Sequence, residues 1–273
     1  MLPKAVALAR SSHPGPTIAV TIVTVVLSIG AGLEPWRIVL LAVAMLLDQL
    51  SVGWSNDWID AERDREVGRD DKPVARGLIS VTTVRAAAIG AALLAIALTV
   101  PLGWPATAAH TVAIASAWAY NARLKNSAVS VAPFALSFGL LPLIVTLAAD
   151  PMAIASWWAI GAGALLGVAA HFANVLPDLE ADRATGVRGL PHRLGLTASG
   201  VVIACSLATA SGLLLLAGPD PVHVAGFVAA LALAVVCLVL AVRHQPTRLL
   251  FQLIIAAAIL DVALLALSGV GLR

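Results

Sequence analysis

Apolar residues run through this chain in long uninterrupted stretches, not in the alternation of a half-buried strand or the single stripe of a soluble amphipathic helix. Crossing hydrocarbon takes about 20 residues. On that length the apolar windows predict nine spans, at approximately 16–34, 37–55, 83–102, 105–121, 128–149, 152–174, 197–217, 222–242 and 249–270. Short Gly/Pro punctuation separates several of them, as in Glu34-Pro35-Trp36, Pro101-Leu102-Gly103-Trp104-Pro105 and Gly218-Pro219-Asp220-Pro221, and reads as tight turns. The segment Met1–His13 carries Lys4 and Arg10 ahead of an apolar run, as a signal peptide does. Thr17–Leu33 is longer than a signal h-region and continues into another span, so it reads as the first helix. The expected fold class is an all-α, polytopic membrane protein with about nine transmembrane helices, residues 1–273 forming a single integral domain.

Composition reinforces this picture. Hydrophobic residues make up 60% of the chain and charged residues 12%, with a mean hydropathy of +0.96; soluble domains run at about 45–50% and about 25%. A water-soluble fold is excluded. The formal charge of +2 is small and its basic residues are dispersed among loops, so no nucleic-acid partner is expected. Cys205 and Cys237 lie inside apolar runs with no ligand spacing around them, as inert core thiols do.

Where the charges fall is more informative than their sum. With nine spans, alternate loops lie on opposite faces, and 15 of the 17 Lys and Arg residues collect on one of them. The other face receives only Arg37 and Arg273. By the positive-inside rule, the protein is expected to be integral to the cell (inner) membrane, with the N-terminus and the basic loops cytoplasmic and the C-terminus outside.

Two loops on the basic face are long, at about 56–82 and 175–196, and each opens with Asn followed by spaced Asp residues. The first reads Asn56-Asp57-Trp58-Ile59-Asp60-Ala61-Glu62-Arg63-Asp64 and runs on to Lys72-Pro73-Val74-Ala75-Arg76-Gly77. The second reads Asn174-Val175-Leu176-Pro177-Asp178-Leu179-Glu180-Ala181-Asp182-Arg183 and runs on to Gly189-Leu190-Pro191-His192-Arg193. Positions 56/57, 60 and 64, and again 174, 178 and 182, recur at helical spacing, so each set shares a face if the preceding span continues. Carboxylates this dense repel one another unless cations sit between them. An oxygen-only set suits Mg²⁺, which keeps its waters and bridges a few carboxylates to substrate phosphates. Asp57, Asp60, Asp64, Asp178 and Asp182 are the candidate catalytic residues and metal ligands. Lys72, Arg76, Arg183 and Arg193 are candidate clamps on phosphate oxygens, Arg bidentately and Lys as a point charge. The remaining charges of the first loop, Glu62, Arg63, Arg65, Glu66, Asp70 and Asp71, read as solvated. Ten of the 15 acidic residues fall in these two segments, where a merely solvated surface would spread them evenly.

Ionisable residues inside spans are costly and hence candidates for function. Asp48 lies two turns before Asn56, and His171 three residues before Asn174. Each is a candidate for substrate binding, against the alternative of pairing with a neighbouring helix. Asp261 and Gln252 read as interhelical contacts.

Asn56-Asp57-x-x-Asp60-x-x-x-Asp64 and Asp178-x-x-x-Asp182, in that order on a nine-span chain, resemble the two signature motifs of the UbiA superfamily of intramembrane prenyltransferases. The resemblance implies helices bundled around a central cavity, Mg²⁺ as cofactor, ionisation of an isoprenyl diphosphate, and capture of the allylic cation by an acceptor within the membrane. That acceptor is expected to be an aromatic, quinone-precursor-like ring, with membrane lipid beside the prenyl tail. The family places Tyr-x-x-x-Lys in a third loop; Tyr120 is present, with Lys125 one residue further on. Asn56, Asn174, Tyr120 and Lys125 join the candidates for substrate binding. Where the family has an Arg-Pro-Leu-x-x-Gly-like stretch this chain has Lys72 to Gly77, which passes the basic contact to Lys72 and Arg76. Gly189 to Gly195 resembles the Thr-Leu-Ala-Val-Arg-Leu-Gly ending of menaquinone-type members, with His192 as a departure. Competing readings are a membrane terpene cyclase with the same Asp stripes, prenyl transfer to a non-aromatic acceptor, and a cation-coupled transporter. The last fits less well, because transporters bind ions near the bilayer midplane and these stripes sit at span ends.

Overall fold

The computed structural model describes residues 4–179, 182, 186–217, 221–243, 252, 253, 256, 259 and 272. Among them the regular structure is helical, with no strand. The helices are α1 (Lys4–Arg10), α2 (Pro14–Gly30), α3 (Pro35–Ile59), α4 (Ala61–Glu66), α5 (Val81–Thr99), α6 (Trp104–Ala122), α7 (Ala132–Leu147), α8 (Trp157–Val175), α9 (Leu190–Leu214) and α10 (Pro221–Val242).

Local chemistry sets many of these boundaries. Proline stands in the first turn of α2, α3, α6, α7 and α9, where a missing N–H breaks no intrahelical bond. Ser80 caps α5 by accepting the Thr83 N–H at 3.1 Å. Gly103 adopts φ 114° between the end of α5 and the start of α6, a conformation that side chains disfavour.

The first eight expected spans each correspond to a helix, and the ninth, 249–270, lies almost wholly outside the described residues. Three boundaries differ in ways that matter. α3 runs on to Ile59, so Asn56 and Asp57 are helical. Residues 152–156 are not helical, and α8 begins at Trp157. α9 starts at Leu190, seven residues before the expected 197, because Gly195 breaks it with φ 79° and sets off a short turn that carries His192.

α3, α5 (extended to Leu102), α8 (extended to Asp178) and α9 are each long and apolar enough to cross a membrane, and α1 with α2 passes the same test as a pair bent by 66°. The chain is an integral membrane protein. α3 packs against α2, α5 and α6; α7 lies between α6 and α8; α9 joins α8 to α10. The main core draws Leu41, Ile144, Phe172, Ile203 and Leu207 from four of these helices. A satellite core of Ala7, Ala61, Val74, Ile79 and Val84, backed by Trp54 and Trp58, pins the loop after α3 beneath α1.

α8 meets α7 through Gly163 and Gly167. A Cβ on Gly163 would stand 2.5 Å from the Phe138 carbonyl oxygen, and one on Gly167 2.4 Å from that of Phe134. This small-x-x-x-small contact lets two backbones touch without a hydrophobic driving force.

Candidate functional site

A cavity of about 890 Å³ opens inside the bundle. Its inner wall is apolar, with Leu141, Pro142, Ala162, Leu166, Phe134 and Phe138, and its mouth is charged. The structure brings Asn56, Asp60, Asp64, Lys72, Tyr120, Lys125, His171, Asn174, Asp178 and Asp182 to this one space.

The two stripes resolve by helical register. Asn56, Asp60 and Asp64 follow i, i+4, i+8, as do Asn174, Asp178 and Asp182, and all six line the cavity. Asp57, one position off that face, does not. Its side chain is 1% exposed, and its Oδ1 accepts from Lys72 Nζ and from His13 Nε2 at 3.1 Å. Asp57 anchors Lys72 from behind the mouth.

Basic groups interleave with the mouth carboxylates. Lys125 Nζ donates to Asp60 Oδ1, and Arg63 stands 3.1 Å from Asp60 and 3.6 Å from Asp64. Arg69 holds Asp71 through two hydrogen bonds of 2.9 and 3.1 Å. Burial pushes the Asp64 carboxyl above the usual carboxylate range, with a further push from Asp60 and a partial pull back from Lys72. Burial also draws Lys125 below its ordinary value, opposed by Asp60. Hydrogen bonding from Arg69 holds Asp71 low.

Tyr120 and Lys125 reach the same cavity although they stand five positions apart in the chain. α6 ends at Ala122, Arg123 leaves helical geometry (φ −149°, ψ −40°), and a 3₁₀ turn over Leu124–Asn126 brings Lys125 round. Asn121 ties this corner to α3, donating to Ser55 Oγ at 2.7 Å and to the Val52 carbonyl at 2.9 Å. His171 contacts Ser130 Oγ through Nε2 at 3.0 Å. Its ring lies 5.6 Å from Tyr120 and 5.0 Å from Phe134. His192 Nε2 is 3.3 Å from Asp182 Oδ2.

Other expected residues lie elsewhere. Asp48 is buried behind the cavity, 3.5 Å from His110 and bonded by Gln49 at 3.3 Å. Arg76 is exposed away from the cavity. Arg193 is exposed too, with Nε bonding the Arg188 carbonyl at 3.1 Å. Arg183 and Asp261 fall outside the described residues. Gln252, read as an interhelical contact, lines the cavity. Arg63 and Asp71, read as solvated, line it as well, and so does Arg69, because α4 and the satellite core fold the first loop back over the opening. His13, Gln49, Asn121 and His192 also line it and were not singled out. Only His192 left a sequence signal, as the departure from its motif.

Among the described residues no three acidic or imidazole side chains converge closely enough to hold one ion unaided. The donor set is nonetheless all hard oxygen: Asp60, Asp64, Asp178 and Asp182, with Asn56 and Asn174 beside them. Lys125 and Arg63 already satisfy part of its charge. That set fits Mg²⁺, which needs only one or two carboxylates when waters and phosphates complete its shell.

Fold and site together define a helical membrane protein with a charged mouth on an apolar intramembrane cavity. The chain belongs to the UbiA prenyltransferase family, whose model matches residues 17–268. No individually curated protein matches the sequence. Among solved structures, the apo form of a UbiA homologue from Aeropyrum pernix K1 shares the fold with a TM-score of 0.77 at 17% identity, over 92% of this chain and 97% of that one. A digeranylgeranylglyceryl phosphate synthase gives 0.70 at 14% identity, over 95% and 99%. A UbiA homologue from Archaeoglobus fulgidus bound to GPP and Mg²⁺ gives 0.68 at 16% identity, over 94% and 99%.

Proposed function

We propose that this protein transfers a prenyl group from an isoprenyl diphosphate to an aromatic, quinone-precursor-like acceptor within the membrane, with Mg²⁺ as cofactor and the whole chain acting as one integral domain. The observation that carries this reading is the pairing of a mouth rich in both carboxylates and cations with a deep apolar cavity, a combination that matches a charged head on a long hydrocarbon tail. The Archaeoglobus fulgidus homologue bound to GPP and Mg²⁺ supports it.

Asp60, Asp64, Asp178 and Asp182 would hold Mg²⁺, with Asn56 and Asn174 as neutral oxygen donors, and the metal when bound would neutralise charge on the departing diphosphate. Arg63, Arg69, Lys72 and Lys125 bind and orient the phosphate oxygens. The C1–O bond breaks with its electron pair leaving on diphosphate, a ring carbon of the acceptor bonds to C1, and the ring proton is lost. Phe134, Phe138 and Tyr120 present aromatic faces to the allylic cation, and the apolar wall keeps water from it. The mouth is cytoplasmic in this reading, where diphosphate and Mg²⁺ are supplied, and the product leaves to lipid.

Purified protein in detergent is to be incubated with radiolabelled geranylgeranyl diphosphate and a panel of aromatic acceptors, with and without Mg²⁺, beside Asp60→Ala and Asp178→Ala. Mg²⁺-dependent label on an acceptor, reduced at least about 100-fold in either variant as for loss of electrostatic transition-state stabilisation, is the expected result. Diphosphate release yielding only a hydrocarbon assigns a cyclase, and label on a lipid alcohol assigns a non-aromatic acceptor. Absence of binding and release at every chain length removes the enzyme reading in favour of a transporter.

A further inference from the structure

We propose that His13 is a positioning residue for diphosphate binding: it holds Asp57 so that Lys72 can leave that carboxylate and turn to the substrate. The inference rests on the prenyl diphosphate reading above. Two nitrogens converge on one oxygen of Asp57: Lys72 Nζ and His13 Nε2 stand 3.1 Å apart, and both reach Oδ1. The other oxygen, Oδ2, is buried without a hydrogen-bond partner. Lys72 and His13 line the cavity while Asp57 does not. An ammonium fixed on Asp57 does little for a phosphate. If it departs, it leaves a buried carboxylate behind, and an uncompensated buried charge is strongly unfavourable. His13 removes that obstacle because it remains on the oxygen Lys72 vacates.

The chain takes unusual steps to put an imidazole there. Among the described residues His13 is the one non-glycine with positive φ, at 53°, a left-handed conformation that costs energy and persists only where surroundings enforce it. It occupies the elbow between α1 and α2, which are bent by 66°. That elbow is pressed onto α3 one turn ahead of Asp57. A Cβ on Gly53 would meet the Ser12 carbonyl oxygen at 2.4 Å, Trp54 Nε1 donates to the Leu8 carbonyl at 2.8 Å, and Thr17 Oγ1 donates to the Ser12 carbonyl at 2.8 Å. Three nearby α3 residues thus act in concert. Gly53 and Trp54 seat the elbow, and Asp57 receives the histidine that it presents.

The test is equilibrium binding of geranylgeranyl S-thiolodiphosphate, which does not ionise readily, to the full chain with Mg²⁺, for wild type, His13→Gly, Lys72→Met and the double variant. Glycine accepts the positive φ without strain, so the elbow keeps its path. His13→Gly is expected to weaken binding about tenfold, Lys72→Met by a similar factor, and the double variant no further than Lys72→Met alone, the non-additivity of residues acting through one another. Gly53→Ala, which forces the elbow off α3 with His13 intact, is expected to reproduce the His13→Gly loss. Wild-type affinity in His13→Gly, or a full extra loss in the double variant, overturns the role. A wild type that binds no prenyl diphosphate analogue overturns the proposed function and this role with it, an outcome distinct from equal binding by wild type and variant.

Discussion

Asp48 and Asp57 are buried carboxylates on the same helix, and α3 resolves them differently. Asp57 is met by Lys72 and His13 at the mouth. Asp48 lies deeper, where Thr99, α5 and α6 supply the answer. The Thr99 hydroxyl donates its hydrogen to the Ala95 carbonyl at 2.9 Å, so at 2.8 Å it accepts from His110 Nδ1. The His110 Nε2 edge then faces Asp48 Oδ2 at 3.5 Å. Gln49 gives its amide N–H to the same oxygen, which leaves its own carbonyl for the cavity it lines. His110→Ala strips the buried Thr99 hydroxyl of its partner beside a carboxylate only 4% exposed and is expected to cost about 1–3 kcal/mol, as for leaving a buried polar group unsatisfied. Asp48→Asn keeps the shape without the charge and is expected to cost about 1 kcal/mol, the scale of one hydrogen bond. Chemical unfolding in micelles measures both, and a His110→Ala protein as stable as wild type would contradict the Thr99–His110 contact as a support of this corner. The sequence marked Asp48 as exceptional but not which way it points. One residue along a helix is a turn of about 100°, enough to put Gln49 in the cavity and Asp48 behind it.

The helices were legible for a physical reason that also limits the reading. A lipid-facing element must be apolar for about 20 residues, so hydropathy finds it, but hydropathy is blind to where a helix continues beyond hydrocarbon or breaks within it. The extension of α3 to Ile59, the break at Gly195 and the elbow at His13 are all backbone events at the polar end, and all three shape the site. The Asp stripes were visible because register survives that extension. Arg63, Arg69 and His13 were not, because loop folding and a bend bring them in. Interhelical contact has its own signature in Gly163-x-x-x-Gly167, and it connects packing to the cavity, since the backbones it approaches carry Phe134 and Phe138. Gly167→Ala is expected to destabilise by about 1–3 kcal/mol through overpacking and to weaken binding of the prenyl analogue as α7 is displaced. Gly90→Ala on α5, where a Cβ meets nothing within 4 Å, is expected to be stabilising by about 0.5–1 kcal/mol from helix propensity. Equal effects at the two glycines would remove the α7–α8 contact as a determinant of the cavity.

Charge is sorted between the two ends of the whole molecule. At the end where α3, α6 and α8 begin, Trp36, Trp104 and Trp157 are exposed, as in an interfacial aromatic belt. Among the described residues the basic one there, Arg37, is neutralised by Glu34 at 3.4 Å and by Asp150 at 3.3 Å, and it donates to the Ala148 carbonyl at 3.0 Å. The opposite end, where those helices finish, carries the unneutralised excess of Lys and Arg together with the cavity mouth. The positive-inside bias therefore predicts that the mouth faces the cytoplasm, and the chemistry needs the same orientation, because a diphosphate and hydrated Mg²⁺ arrive from water whereas a prenylated ring departs into lipid. In a background with Cys205→Ala and Cys237→Ala, Met152→Cys reports the belt end and Val67→Cys the mouth end, both at exposed positions. A membrane-impermeant maleimide added to intact spheroplasts is expected to label Met152→Cys and to leave Val67→Cys unlabelled until the membrane is opened. The reverse pattern would put the mouth outside and separate the site from the cytoplasmic supply of its proposed substrate, and the prenyl-transfer reading would then have to find its diphosphate on the other side of the membrane.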